Sequence, residues 1–424
     1  MSEPDRQFPP ERRYRGGAKG RKDELFLHVF ANKILTTGAA QPGGSIQGCE
    51  TKPRPRIWAR RQASVIGGKR GFVFVGTVRS LRPKLSYELQ KRITVARRRT
   101  ECRQTPVVSA ETWGGENMAI RRPESFHHHE ASLPGIKIHY VREGSGPPLL
   151  LMHGWPGFWY EWHKCIDGLA KHFDVILPDF RGYGDSEKPN LADISKFHLD
   201  LVTEDQANLL HHLQIPKAYL VGHDYSALVM HKFVRKHRDM TIRGLTIDPI
   251  VPGFEGRYLS VGHFPESWYS QFHQLDMAVK LVSSSREACQ IYFKHFLSHW
   301  SYNKNAFTDE ELEIYTDNFM KPGNIHGGFN FYRANLSITS QPWTALDRTI
   351  SDVPMTFLQG MGDTVVPSVW TDLVAGWYNN YAIEYVPDGG HFLMFEKPDL
   401  VVDRIKKSFL GATQGGDAAR APQP

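Results

Sequence analysis

Cysteine is scarce in this chain and shows none of the spacings that bind metal. The four cysteines (Cys49, Cys102, Cys165 and Cys289) are spread over 424 residues. They could form too few bridges for a disulfide framework, so we expect a reducing, cytoplasmic compartment. Long apolar runs are also missing, because none approaches the roughly 18 residues of a membrane-spanning helix. The sequence therefore predicts neither a disulfide scaffold nor a transmembrane segment.

Acidic residues are rare in the first 122 residues. This part has 26 Lys and Arg against 10 Asp and Glu, a net charge of +16, whereas the rest has 26 basic and 35 acidic residues, a net charge of −9. High net charge with few apolar residues favours disorder, so we predict a disordered basic extension over residues 1–122. Three alternatives stay open: a basic arm for nucleic acid or an acidic membrane surface, a targeting peptide, or an extension absent from a native chain that starts at Met118. We expect no nucleic-acid partner for the acidic remainder.

From about residue 123, apolar strands alternate with helical stretches. The strands are predicted at Gly135–Val141, Pro147–Met152, Asp174–Pro178, Ala218–Gly222, Leu245–Ile247, Met355–Leu358 and Ala382–Val386. Helices are predicted at Leu201–Leu213, Ser226–Lys236 and Asp399–Phe409. This alternation is typical of an α/β fold with a mainly parallel sheet.

One aromatic-rich segment, residues 253–343, interrupts the alternation. It has no buried strand, and helices are predicted at Ala278–Ser283, Glu287–Leu297 and Asp309–Phe319. An insertion of this kind is expected to cover the carboxyl ends of the strands, where α/β sheets bind ligands. We therefore predict a core of residues 123–252 and 344–412, a helical cap of residues 253–343 and a disordered tail of residues 413–424.

The stretch from Leu220 to Ser226 predicts a strand, a sharp turn and the start of a helix. Gly222 and Ser226 are small enough for the backbone to fold back, which exposes the side chain of Asp224 at the tip. A carboxylate at this place attacks sp3 carbons and forms an alkyl ester that water can hydrolyse. Asp224 is therefore the candidate nucleophile.

Three further stretches supply candidate partners for this nucleophile. The loop that begins at His153 can aim the backbone N–H of Trp155 at the turn, and the N–H of Tyr225 is the second candidate oxyanion donor. His391 follows the last strand, after two glycines, and is the candidate general base. Asp363 is the candidate acid that orients His391, with Asp248 as the alternative.

The triplet His127-His128-His129 is the strongest metal-like pattern in the chain. Three adjacent side chains of an extended segment point in different directions, so we predict no metal site there. The sequence predicts no cofactor.

In the order in which they occur, these motifs resemble those of a known family. His153-Gly154-Trp155-Pro156, the stretch from Gly222 to Ser226, Gly362-Asp363 and Gly390-His391 resemble the α/β-hydrolases of the epoxide hydrolase and haloalkane dehalogenase branch, most closely the epoxide hydrolases. The resemblance covers about residues 123–412. It implies an α/β-hydrolase fold, with a mostly parallel sheet flanked by helices and an inserted helical cap.

The cap separates the chemistries within that branch. Trp268-Tyr269 and Phe331-Tyr332 resemble the two motifs that carry the proton-donating cap tyrosines of epoxide hydrolases. The resemblance therefore implies a small apolar epoxide and water as reactants, Tyr269 and Tyr332 as proton donors, and a substrate pocket that includes His153, Pro156, Trp268 and His273.

Two alternatives stay open at this point. One is a hydrolytic dehalogenase that uses the same Asp224, with Trp155, Tyr269 or His273 near the halide. The resemblance argues against a haloacid substrate, because Tyr225 and Leu228 occupy the places where haloacetate dehalogenases carry arginine. The other is a non-catalytic binding protein of the same fold. The sequence leaves the oligomeric state open, a homodimer included.

Overall fold

The computed structural model describes residues 120–336 and 347–411. Most of the predicted basic extension, Met118 and the predicted tail lie outside this range, as do Cys49 and Cys102. Residues 337–343 at the end of the predicted cap also lie outside it, so the cap bounds stay a prediction.

An eight-stranded sheet forms the centre of the described fold. The strands are β1 (His128–Leu133), β2 (Ile136–Gly144), β3 (Pro148–Met152), β4 (Asp174–Pro178), β5 (Ala218–His223), β6 (Thr241–Ile247), β7 (Met355–Gly360) and β8 (Tyr381–Val386). They lie in the order β1-β2-β4-β3-β5-β6-β7-β8. Strand β2 pairs antiparallel with β1 and β4, and all other pairs are parallel. The predicted mainly parallel sheet is confirmed, and β1 is an addition to it.

Burial explains where the central strands form. Every residue of β4 and nearly every residue of β3 and β5 is buried, as expected of parallel strands covered on both faces. Neighbouring strands are held in register, for example with Leu150 opposite both Ile176 and Leu220. The carboxyl ends of the central strands therefore lie side by side at one edge of the sheet.

Helices flank the sheet and continue between β6 and β7. The α-helices are α1 (His163–Ala170), α2 (Leu199–His212), α3 (Ser226–Lys236), α4 (Glu255–Tyr258), α5 (Phe264–Phe272), α6 (Asp276–Val282), α7 (Arg286–His299), α8 (Asp309–Met320), α9 (Asn324–Asn335), α10 (Leu393–Glu396) and α11 (Pro398–Leu410). Short 3-10 helices lie at Pro123–Ser125, Trp159–Trp162, Ile194–Phe197, Arg238–Met240 and Ser368–Gly376. Helix α1 packs against α11, and α2 against α3. Across the described parts of the chain, no helix is long and apolar enough to cross a bilayer.

The inserted segment, α4 to α9, is joined to the core by buried polar and backbone contacts. Helix α8 begins with a capping box in which Thr308 and Glu311 satisfy each other's backbone N–H groups. The same Glu311 carboxylate lies 2.9 Å from His163 Nε2 and 2.8 Å from Lys164 Nζ on α1. Helix α9 approaches the loop after β4 so closely that a Cβ at Gly327 would lie 2.1 Å from the Gly182 carbonyl oxygen. These contacts place the insertion over the carboxyl ends of the strands.

Candidate active site

Asp224 lies at the turn between β5 and α3, with a positive φ of 53°. The turn leaves no room for a side chain at Gly222, since a Cβ there would lie 2.7 Å from the sulfur of Met230. Ser226 adds a second restraint, since its hydroxyl accepts the His223 N–H at 2.7 Å and donates to the His223 and Met152 carbonyls. The position of Asp224 is thus fixed by hydrogen bonds as well as by small side chains.

The two carboxylate oxygens of Asp224 have different surroundings. Oδ2 accepts the backbone N–H of Trp155 at 3.0 Å, and the backbone N–H of Tyr225 also hydrogen-bonds the carboxylate. Oδ1 faces His391, at 3.8 Å from Nε2. Burial raises the pKa of Asp224, although His391, His223 and the two N–H groups act in the opposite direction. Both predicted oxyanion donors therefore hydrogen-bond the Asp224 carboxylate, Trp155 through Oδ2, while Oδ1 faces His391.

His391 follows β8 and is fully buried. Its Nδ1 lies 2.8 Å from Asp363 Oδ2, and Asp363 Oδ1 accepts the backbone N–H groups of Val365 and Val366 at 2.8 and 3.0 Å. Burial alone would lower the pKa of His391, but the charge and hydrogen bond of Asp363, followed by the charge of Asp224, outweigh it and raise this pKa. Asp363 thus orients the imidazole so that Nε2 faces the Asp224 carboxylate.

Asp248, the alternative acid, is buried after β6 but makes other contacts. Its Oδ1 accepts the N–H of Gly360 at 2.7 Å and the side-chain amide of Gln359 at 3.0 Å. Burial and the neighbouring charge of Asp363 raise the pKa of Asp248 well above its usual range. The geometry brings Asp363, rather than Asp248, into hydrogen-bonding contact with His391.

Tyr269 of α5 and Tyr332 of α9 meet above this core group. Their ring centroids lie 5.6 Å apart, and the Tyr269 ring stacks on Trp155 at 4.8 Å. Burial is the main cause that raises the pKa of both phenols well above the usual value, with neighbouring phenols and the Asp224 charge adding to it. Both side chains are therefore protonated O–H donors at neutral pH.

The remaining predicted pocket residues divide into two groups. His273 is buried with its ring 4.9 Å from Trp155 and 4.6 Å from Tyr332, so it belongs to the same aromatic cluster. His153 instead links two loops: its Nε2 accepts the N–H of Phe180 at 3.0 Å, and its Nδ1 therefore donates to the Gly154 carbonyl. Burial lowers the pKa of His153, in keeping with a neutral imidazole.

Pro156 is buried directly after Trp155, to which it is joined by a cis peptide bond. Trp268 faces away from this group, because its ring contacts are with Phe272, Tyr292, His295 and Phe296 on the outer side of the insertion. Pro156 thus lies beside the oxyanion loop, and Trp268 supports the cap from behind.

Sequence reasoning missed four residues at this site. Trp300, at the end of α7, accepts the His391 N–H with its carbonyl at 3.0 Å and packs its ring 5.4 Å from the imidazole. Tyr258 of α4 hydrogen-bonds the hydroxyl of Tyr269. Glu161 and His223 are buried behind the nucleophile. Trp300, Tyr258 and Glu161 carry no motif signal, and His223 lies within the motif around Asp224 but its contacts become visible only in the fold.

One histidine of the triplet, His128, belongs to a chain of hydrogen bonds. His128 Nδ1 lies 2.8 Å from His139 Nε2, and His139 Nδ1 lies 2.8 Å from Asp179 Oδ2. The Asp179 oxygens also accept the N–H groups of Trp159 and Asp185. These bonds engage His139 and Asp179, and Lys321 Nζ donates to the carboxylate of Asp185, the third residue of a metal-like group. We interpret this chain of hydrogen bonds as a brace between β2 and the loop after β4.

Comparison with known proteins places the chain in a family. The family model of the α/β-hydrolase fold matches residues 147–398. A soluble epoxide hydrolase of Corynebacterium sp. (strain C12) is 32% identical over 290 residues, which cover 66% of this chain and 96% of that protein. A fluoroacetate dehalogenase of Burkholderia sp. is 28% identical over 302 residues, which cover 69% and 96%.

A solved structure supports the same placement. The epoxide hydrolase CorEH, solved without ligand, superposes with a TM-score of 0.60 at 31% identity, covering 68% of this chain and 99% of that one. Taken with the Asp224, His391 and Asp363 geometry, these matches identify the protein as a hydrolase of the α/β-hydrolase family, related to the epoxide hydrolases.

Proposed function

We propose that the protein is an epoxide hydrolase that converts a small apolar epoxide to a vicinal diol through an ester on Asp224. The observation that carries the proposal is the pair of buried phenols, Tyr269 and Tyr332, above the nucleophile. The oxygen that leaves carbon in epoxide opening stays attached to the substrate and needs a proton. Two phenols from separate helices can hydrogen-bond that oxygen as its charge develops.

In the first step, Oδ1 of Asp224 attacks an epoxide carbon. Oδ1 is assigned this role because the Trp155 N–H already holds Oδ2. The bond between that carbon and the epoxide oxygen breaks, and the oxygen takes a proton from Tyr269 or Tyr332. The product of this step is a hydroxyalkyl ester of Asp224 and a tyrosinate.

In the second step, His391 removes a proton from water, and the water oxygen attacks the ester carbonyl carbon. The N–H groups of Trp155 and Tyr225 stabilise the negative charge that develops on Oδ2. The tetrahedral intermediate then collapses with cleavage of the bond between the carbonyl carbon and the ester oxygen, and the diol leaves with a proton from His391. The carboxylic acid that remains on Asp224 gives up its proton, which returns to the tyrosinate and restores the carboxylate. Asp363 holds the imidazole in the required tautomer and stabilises its charged form throughout.

Intact-mass measurement of the His391→Gln variant tests the proposal. The variant is mixed separately with a styrene-type epoxide and with a 1-haloalkane. An epoxide should add its entire mass, because no group leaves, whereas a haloalkane would add its mass less that of the hydrogen halide. Asp224→Ala in the same background is the control and should give no adduct. The proposal would be rejected if the variant formed an adduct with the haloalkane and none with the epoxide.

One observation favours a second candidate, a haloalkane dehalogenase. The indole Nε1 of Trp155 and the Nδ1 of His273 are buried without a hydrogen-bond partner among the described residues. The indole N–H of Trp155 is a buried donor that can hold a halide ion, and His273 Nδ1 is a second one in the tautomer in which Tyr292 donates to Nε2. A haloacid is less favoured, because Tyr225 stacks on Phe331 and Leu228 is fully buried, so neither provides a cation for a carboxylate. The two mass increments distinguish the candidates.

A further inference from the structure

A buried acid lies behind the oxyanion loop. Glu161 belongs to the 3-10 helix Trp159–Trp162 and is 1% exposed. Its Oε1 accepts the N–H of Gly154, the residue before the oxyanion donor Trp155, at 3.0 Å. Its Oε2 has no hydrogen-bond partner in the part of the chain that the structure describes. A carboxylate buried with one free oxygen needs a reason beyond packing, since burial of a charge is costly.

The absence of a side chain at Gly157 leaves the space that the Glu161 carboxylate occupies. A Cβ at Gly157 would lie 2.0 Å from Glu161 Oε2, so that a larger residue would displace the carboxylate. Gly157 itself is fixed, because its N–H donates to the Gly154 carbonyl at 3.0 Å. The oxyanion loop is therefore folded around the Glu161 side chain.

His223 connects this acid to the base. Its Nδ1 lies 3.4 Å from Glu161 Oε1, and its Nε2 lies 2.8 Å from the backbone carbonyl oxygen of His391. A carbonyl oxygen only accepts, so Nε2 carries a proton and donates it. The other ring nitrogen, Nδ1, has no hydrogen-bond partner among the described residues, so the Glu161 carboxylate acts on it through its charge at 3.4 Å and not through a hydrogen bond. His223 thus holds the backbone of His391 in the way that Asp363 holds its side chain.

We propose that Glu161 and His223 are positioning residues that hold His391 and the oxyanion loop in register for hydrolysis of the Asp224 ester. This inference rests on the proposed function only in needing an ester on Asp224. The backbone of His391 is held on both sides, since Trp300 accepts its N–H and His223 donates to its carbonyl. The carboxylate of Asp224 does not depend on His391 to attack carbon, so the loss of the contact to His391 should affect the second step more than the first.

Quenched-flow intact-mass measurement of ester formation and ester breakdown tests this inference. Glu161→Gln keeps the size of the side chain and an oxygen for the Gly154 N–H, but loses the charge that faces His223. We expect breakdown to slow by at least about tenfold, because misplacing a reacting group by a fraction of an ångström has effects of this size. Ester formation should stay within about threefold of the wild type.

His223 provides a rescue test within the same measurement. His223→Leu should slow breakdown at least as much as Glu161→Gln. His223→Gln should recover part of that loss, because its amide can donate to the His391 carbonyl. The matched control is Glu311→Gln, which disrupts a buried Glu–His pair outside the site and should leave the ratio of the two rate constants unchanged.

The outcomes separate this inference from the proposed function. Breakdown at the wild-type rate in Glu161→Gln would overturn the inference alone. An equal loss in both steps, accompanied by a lower melting temperature, would reduce the pair to a structural role and also overturn it. No ester in the wild type or in His391→Gln, with epoxide or haloalkane, would overturn the proposed function, and the inference with it.

Discussion

The core half of the candidate site and its cap half are held by different kinds of contact. In the core, Asp224, Asp363 and His391 follow strand ends and are fixed by backbone N–H groups and by one another at hydrogen-bonding distances. In the cap, Tyr269 and Tyr332 are carried on helices and held mainly by ring contacts such as the stack on Trp155.

This difference indicates that the two halves of the site have different chemical roles. In the proposed mechanism, the core half supplies a nucleophile and a base that serve any ester on Asp224, whichever group left. The cap half decides which leaving group receives a proton. Substitutions in the core are therefore expected to affect both substrates alike, whereas those in the cap should distinguish an epoxide from a halide.

The largest effect is expected from the acid that orients the base. Asp363→Asn should lower kcat for epoxide hydrolysis by about 10³- to 10⁴-fold, because the amide no longer fixes the tautomer of His391. Asp248→Asn is the matched control. Asp248 Oδ1 accepts the Gly360 N–H and the Gln359 amide, bonds that the side-chain oxygen of asparagine can also accept, so kcat should change little. Steady-state assays measure kcat for both variants. A large loss of kcat in Asp248→Asn with little loss in Asp363→Asn would contradict the assignment of Asp363 as the orienting acid.

The cap phenols should give an intermediate effect that is confined to one step. Tyr269→Phe and Tyr332→Phe should each slow ester formation from an epoxide by about 10- to 10²-fold, and the double variant by more, because the opening oxygen loses its proton donors. Ester breakdown should hardly change. Tyr315→Phe, another buried cap tyrosine, is the control and should leave both steps unchanged. Equal slowing with a haloalkane would show that the phenols do not select the leaving group.

The pH dependence of ester breakdown should show the effect of the Asp224 charge on His391. His391 must be neutral to act as a base, and Asp363 and Asp224 raise its pKa in the free enzyme against the lowering effect of burial. Ester formation removes the Asp224 charge, so the pKa of His391 should fall in the ester. Ester breakdown should therefore rise with pH through an inflection below the pH at which His391 titrates in the free enzyme. Single-turnover rates and NMR titration test this, and coincident inflections would contradict it.

The smallest effect on turnover is expected where the cap meets α1. Burial alone would raise the pKa of Glu311, but His163 and Lys164 outweigh it and lower this pKa to about 2. Because the folded pKa is lower than the unfolded one, the ion pair stabilises the fold fully above the unfolded pKa of 4.5 and loses that contribution as pH falls towards 2. Glu311→Gln should lower the free energy of unfolding at pH 7 by about 3 kcal/mol and reduce its slope between pH 5 and about 2. Urea unfolding at several pH values measures both, and an unchanged slope would reject the pair as its source.

The same difference governs what the sequence could predict. Core features are local: the predicted helix Ser226–Lys236 has the observed bounds of α3, and the motifs around Asp224, Asp363 and His391 lie at the strand ends where they were expected. Strand β1 was missed because its first residues are exposed and polar at the edge of the sheet. Only its pairing with β2 makes it a strand.

Cap features depend on tertiary packing and were harder to predict. Helix α9 contains Gly327 and Gly328, which favour a loop in isolation, yet Gly327 is required by its close approach to Gly182. Trp268 and Tyr269 are adjacent in sequence, but the orientation of α5 turns the tyrosine towards Trp155 and the tryptophan away from it. The direction in which a helix faces could not be read from the motif.

The hydrogen bond from the His391 N–H to the Trp300 carbonyl has a consequence that runs in both directions. It joins the general base to the end of a cap helix, so the arrangement of each is thermodynamically linked to that of the other. Whatever steadies the base also favours a seated cap, by the same free energy. Conversely, under the proposed function, any movement of the cap that breaks this bond would withdraw one support from His391 and slow hydrolysis of the ester.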